Sequence, residues 1–179
     1  MRRLSHRFRF QLLHNWLINH YQLCKAADVG GGKGLLAYLL NQSGWNVTII
    51  DPVTQILPRT FKDLHKTRTT LTPDKRKDVK RIDKPFEIEM AKEFDLLVGL
   101  HAHGSNLKII DACKEYNKEF VLLPCCVIGE PVETKPGINW LESLVDYAQN
   151  KGFEVGRTKL NFAGQDTIIF SSASGKLQE

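Results

Sequence analysis

Apolar positions along the chain recur with two different periods. Leu4, Phe8, Leu12, Trp16 and Ile18 fall close to helical spacing and predict an amphipathic helix over residues 5–20. Ala26-Ala27-Asp28-Val29 predicts a short buried strand ending in Gly30-Gly31-Gly32. Leu35, Leu36, Leu39 and Leu40 give an apolar side to a helix over 34–43, stopped by Gly44. A strand over 46–50 ends at Asp51. A helix is expected over 54–64 and a polar, basic loop over 65–78. A weak strand over 79–82, a short helix over 86–92 and a strong strand over 94–100 come next. They are followed by a helix over 106–116 and a strand over 120–123. A Gly/Pro-rich loop over 128–138 leads to a helix over 140–150, and strands over 153–159 and 167–170 close the chain. The tail from Ser171 is expected to fray.

Strands alternating with helices imply right-handed parallel crossovers and an open α/β sheet. The closing pair has no helix between its members, so the last strand should run antiparallel to the others. No repeat or linker interrupts the chain, which predicts a single domain over 1–179, with a basic helical segment over 1–22 at its start.

Composition narrows the class. Of 179 residues, 42% are hydrophobic and 25% charged, an ordinary globular balance without collagenous or disordered character. No apolar run is long enough to span a bilayer. Cys24, Cys113, Cys125 and Cys126 do not form a paired framework, and two are adjacent, which fits a reducing compartment. The net charge of +5 is uneven: residues 1–25 carry five Lys/Arg and no acid, and residues 59–84 carry ten against four. Two basic segments on an acidic body point to a polyanionic partner, nucleic acid first, with solvated faces as the alternative. The acid-free, Arg-rich start also resembles a mitochondrial transit peptide. A cytoplasmic protein is the preferred expectation, because cleavage would strip the helix that should cover the first strand.

The most specific feature is Asp28-Val29-Gly30-Gly31-Gly32-Lys33-Gly34, between a strand and a helix. Glycines there let a ligand lie against bare backbone at a helix N-terminus. A dinucleotide fingerprint would need Gly where Leu35 stands, and a P-loop would need Ser or Thr where Gly34 stands. The pattern that fits is acid-x-Gly-x-Gly-x-Gly. Asp51 ends the second strand, where an open α/β sheet places a carboxylate to accept two ribose hydroxyls.

On these residues the chain resembles the class I S-adenosylmethionine-dependent methyltransferases, which have a Rossmann-like, doubly wound, mostly parallel seven-stranded sheet with an antiparallel last strand and helices on both faces. The resemblance implies S-adenosylmethionine as cofactor, with Asp28, Gly30, Gly31, Gly32 and Gly34 at its amino-acid end. It further implies Asp51 at the ribose, Asp83 at the adenine amine and Leu100 at the end of the fourth strand. Gly99-Leu100-His101…Gly104 with a later Cys125-Cys126 also resembles a tRNA ribose 2′-O-methyltransferase subgroup. That subgroup carries Cys, Gly and Asp where this chain has His103-Gly104-Ser105, and it has zinc-finger segments that this chain lacks. The Asn/Asp-Pro-Pro-aromatic signature of exocyclic amine methylation is absent.

Ligands in such a sheet bind outside the carboxyl ends of the strands. Two imidazoles, His101 and His103, and two thiols, Cys125 and Cys126, are therefore expected beside the methyl donor. His101 is the candidate general base, with His103 beside it. Zinc held by all four is the second reading, disfavoured because adjacent cysteines chelate one ion poorly; no obligate metal is expected. Cysteines that pack at a strand end or touch substrate are the third. Arg7, Arg9, Lys75, Arg76 and Lys77 are the candidate contacts to an RNA backbone. The leading expectation is an RNA methyltransferase acting on tRNA or rRNA, helped by the lack of a substrate-binding insertion. The alternatives are a methyltransferase of a small molecule or protein side chain, and an inactive methyltransferase-like partner module. Oligomeric state stays open.

Overall fold

The computed structural model describes residues 3–65, 67–131 and 139–172. A 3-10 turn, His6–Phe8, leads into α1 (Arg9–His20), β1 (Lys25–Val29), α2 (Leu35–Gln42) and β2 (Asn46–Ile50). A hairpin of β3 (Thr60–Lys62) and β4 (Arg68–Thr70) and a short α3 (Pro73–Lys77) lead to β5 (Lys80–Ile82). A 3-10 stretch, Ile88–Glu93, precedes β6 (Leu96–Leu100), α4 (Asn106–Tyr116) and β7 (Glu119–Leu123). The chain continues with α5 (Trp140–Asn150), β8 (Glu154–Lys159) and β9 (Thr167–Ser172). Among the described residues no helix is long and apolar enough to cross a membrane.

Seven strands form one sheet in the order β5-β2-β1-β6-β7-β9-β8. β5, β2, β1, β6 and β7 are parallel. β9 runs antiparallel to both of its neighbours. The strand order reverses between β1 and β6, so a crevice opens above their carboxyl ends. Strand residues alternate between two cores. Ala26, Leu96, Val98, Val121 and Leu123 join Leu13, Leu17 and Leu36 on the α1–α2 side. Ala27, Leu97, Phe120 and Leu122 join Ile109, Ile110 and Leu144 on the α4–α5 side.

Two expected elements are different. The helix expected over 54–64 does not form. Pro58 forbids it locally, and the β-branched Thr60, Thr69 and Thr70 favour the β3–β4 hairpin instead. Its turn is closed by the Asp63 carboxylate, which accepts from the Thr67 amide at 2.8 Å. The loop expected over 65–78 is partly ordered as β4 and α3. Pro73 opens α3, and the Thr72 hydroxyl caps the Lys75 amide. The hairpin lies against the N-terminal helices: Phe61 meets Tyr38 edge-on, and Gln11 Nε2 donates to the Lys62 carbonyl at 2.7 Å.

The C-terminal strand also runs further than expected. Ser171 is buried, and its hydroxyl accepts from the Phe120 amide at 2.9 Å. The rest of the expected frayed tail, and most of the Gly/Pro-rich loop over 128–138, lie outside the described residues.

Candidate active site

β1 delivers the glycine loop to the crevice. The Gly30 amide donates to the Ile50 carbonyl at 2.8 Å, and the Gly34 amide to the Gly31 carbonyl, so the loop's turn is held by the chain's own backbone. Asp28 is 2% exposed, and its carboxylate is approached by the Ala37 amide without either oxygen making a well-formed hydrogen bond. Burial pushes its pKa up to about 7, the Asp51 charge adds to this, and the Ala37 amide and Arg81 oppose it without reversing it. A Cβ on Gly31 would lie 2.6 Å from Asp28 Oδ2, so glycine is required for the loop to pass this carboxylate.

Asp51 ties the end of β2 to the same loop. Its Oδ2 accepts from the Gly32 amide at 2.9 Å and its Oδ1 from the Val53 amide at 2.8 Å. Each oxygen keeps further acceptor capacity. A residue that the sequence did not single out completes the arrangement. Arg81 of β5 donates to the Gly32 carbonyl at 2.8 Å, the Val53 carbonyl at 3.1 Å and Asp83 Oδ1 at 3.2 Å. One guanidinium thus braces the glycine loop, the loop after β2 and the acid after β5. The Leu100 side chain belongs to the α1–α2 core, which leaves only its backbone for a ligand.

The two histidines part company. His101 follows β6 with φ 55°, a left-handed conformation unusual for a residue with a Cβ. Its ring hydrogen-bonds to the Gln165 backbone, and its Nε2 is buried without a partner. Burial lowers its pKa to about 4, and the charges of Arg9 and His103 push the same way. The N-terminal segment therefore reaches the reacting edge. Arg9 is half-buried, with its guanidinium 4.3 Å from the centre of the Phe10 ring and its Nε unpartnered. His103 instead meets the thiols: its Nδ1 is 3.2 Å from Cys126 Sγ and 3.7 Å from Cys125 Sγ. The expected convergence of all four side chains is thus corrected to His103 with Cys125 and Cys126, with His101 turned toward Arg9 and Gln165.

The basic residues do not form one patch. Arg7 lines a cleft of about 260 Å³ with Gln11, Leu35, Phe61, Lys62 and Arg68, between the N-terminal turn, the start of α2 and the hairpin. Lys62 and Arg68 carry no mark in the sequence, because the pattern over 54–78 predicts helix and loop where the hairpin that presents them forms. Lys75, Arg76 and Lys77 lie on α3 and do not line this cleft. Arg76 Nε donates to the Leu57 carbonyl at 2.7 Å, a structural bond that takes this side chain out of the expected row of free phosphate contacts.

No protein-family model matches this chain, and no curated protein matches it. Solved structures match it in fold. A ribosomal protein L11 methylase from Lactobacillus delbrueckii subsp. bulgaricus aligns with a TM-score of 0.57 at 15% identity, over 92% of this chain and 76% of that one. The glycopeptide N-methyltransferase MtfA, solved with (S)-adenosyl-L-homocysteine, gives 0.55 at 11% identity, over 93% and 90%. A precorrin-6y C5,15-methyltransferase from Geobacter metallireducens gives 0.50 at 11% identity, over 90% and 83%. The fold is that of the class I, Rossmann-like methyltransferases, across nearly the whole chain.

Proposed function

We propose that the protein is an S-adenosylmethionine-dependent methyltransferase acting on RNA. The observation that carries the reading is Asp28. A buried carboxylate with no well-formed hydrogen bond is costly unless a cation meets it. It stands under a glycine loop at the carboxyl edge of this sheet, where an α-ammonium group would satisfy it. The surrounding residues fit the rest of the cofactor. The backbone over Gly30–Gly34 suits the amino-acid end, Asp51 has acceptor capacity left for ribose hydroxyls, and Asp83 is exposed for an adenine amine. Bound S-adenosylmethionine supplies an electrophilic methyl group on a sulfonium.

His101 is the base in this reading. Neutral at physiological pH, its buried Nε2 is free to accept the proton of a substrate hydroxyl. Its low pKa makes it a weak base while Arg9 stands unneutralised. A phosphate that pairs with Arg9 removes part of that repulsion and strengthens the base, so a polyanionic substrate and this histidine suit one another. Arg7, Lys62 and Arg68 supply a cationic cleft with Phe61 in its wall, suited to holding backbone rather than reading bases. Lys75 and Lys77 are outlying phosphate contacts.

A protein or small-molecule substrate is the second reading. It is favoured by the names of the fold neighbours, which include a ribosomal protein methylase and a glycopeptide methyltransferase. The test is transfer of labelled methyl groups from S-adenosylmethionine to total RNA, with ribonuclease- and protease-treated controls. Label lost with ribonuclease supports the reading. Label lost only with protease, or binding of the cofactor without transfer to any RNA, overturns it.

A further inference from the structure

We propose that His103, Cys125 and Cys126 form a three-ligand site for a borderline-soft transition-metal ion of the zinc class, with a fourth position open to solvent. The proposal does not rest on the methyltransferase reading. Zinc bonds of about 2.3 Å to sulfur and 2.0–2.1 Å to nitrogen, at tetrahedral angles, separate two sulfurs by about 3.8 Å and a sulfur from a nitrogen by about 3.6 Å. Here the sulfurs are 3.4 Å apart, and His103 Nδ1 is 3.2 and 3.7 Å from them. All three donor atoms lie within 4.8 Å of one another. Shifts of a few tenths of an ångström would admit an ion.

The usual objection to adjacent cysteines is that a strand points them to opposite faces. β7 ends at Leu123, and Pro124 follows, so neither thiol is held by the pleat. Both turn to His103. Two thiolates would balance a divalent charge.

The cluster is also held by a built frame. The loops after β6 and β7 touch backbone to backbone: a Cβ on Gly104 would lie 2.8 Å from the Gly129 carbonyl oxygen. Glu130 then locks the second loop onto the start of α4. Its carboxylate accepts from the Asn106 amide at 2.8 Å, the Asn106 side chain at 2.7 Å and the Leu107 amide at 3.2 Å. Gly104, Gly129 and Glu130 thereby fix the spacing of one imidazole and two thiols that come from separate loops. His103 is exposed and the cysteines are half-buried, so the site is open to exchange.

The test is titration of reduced, chelator-treated full-length protein with cobalt(II), followed by competition with zinc. The expected result is a thiolate-to-cobalt charge-transfer band that saturates at one ion per chain and is bleached by zinc. The band should vanish in His103→Ala and in the Cys125→Ser/Cys126→Ser pair and survive in Cys24→Ser. Glu130→Gln, which keeps the ligands and loosens their frame, should weaken the metal by about 10–100-fold. Folding of each variant is checked by circular dichroism. Absence of the band in the folded wild-type protein overturns the site. So does a band that persists in folded His103→Ala, or a Cys125–Cys126 disulfide whose reduction restores no metal uptake.

Discussion

Replacing Asp28 with Asn tests the idea that a buried charge is kept for a ligand. In the folded protein the Asp28 pKa is raised to about 7, against about 3.9 in the unfolded chain. The unfolded chain therefore releases this proton first, and stability falls as pH rises between the two values. At pH 8 the ionised group costs the folded state about 4 kcal/mol, and at pH 5 only about 1.5 kcal/mol. Asn carries no charge, so its gain over the wild type should be about 2.5 kcal/mol larger at pH 8 than at pH 5. A constant cost of burying the carboxamide cancels from that difference. Urea denaturation at the two pH values measures it. The same series with S-adenosylhomocysteine completes the test: the ligand should stabilise the wild type and have little effect on the variant, which has no charge for the ammonium group. An Asn variant with equal stability gains at both pH values, or with undiminished ligand stabilisation, would refute the reasoning.

Four further outcomes follow from the same geometry. His101→Gln keeps a hydrogen-bonding side chain but cannot take up a proton at neutral pH, so turnover should fall by about 10²–10⁴-fold with cofactor affinity unchanged. In the wild type saturated with S-adenosylmethionine, which keeps Asp28 ionised, kcat/KM for RNA should hold its level well below the usual histidine range and decline only toward the lowered His101 pKa of about 4. Arg81→Met, which removes three hydrogen bonds around the glycine loop, should weaken cofactor binding in calorimetry by about 10-fold or more while leaving the circular dichroism spectrum intact. Neutralising Arg7, Lys62 and Arg68 together should lower the slope of log RNA affinity against log salt by about two to three units, whereas neutralising Lys75 and Lys77 should change it less.

How much of this was legible in the sequence depended on how local each signal was. α4 and α5 have the predicted boundaries. The closing strand pair and its antiparallel sense followed from the missing crossover. The glycine loop and Asp51 were legible because their chemistry is packed into short stretches at strand ends. The hairpin is not legible, because the pattern over 54–64 predicts a helix despite Pro58 and the threonines, and Lys62 and Arg68 are presented only by the hairpin. Arg81 carried no signal of its own, since its reach to Gly32 exists only once β5 pairs beside β2. The separation of His101 from His103 hangs on one left-handed turn, which no spacing rule anticipates.

Calorimetric titration of the full chain with S-adenosylhomocysteine tests most directly whether the glycine loop and Asp51 hold the cofactor. Saturable binding of one molecule per chain is expected, weakened by about 10–100-fold in Asp51→Asn, the scale of one or two lost hydrogen bonds to a charged group. No binding heat and no thermal stabilisation at millimolar ligand, in protein shown to be folded, would contradict it.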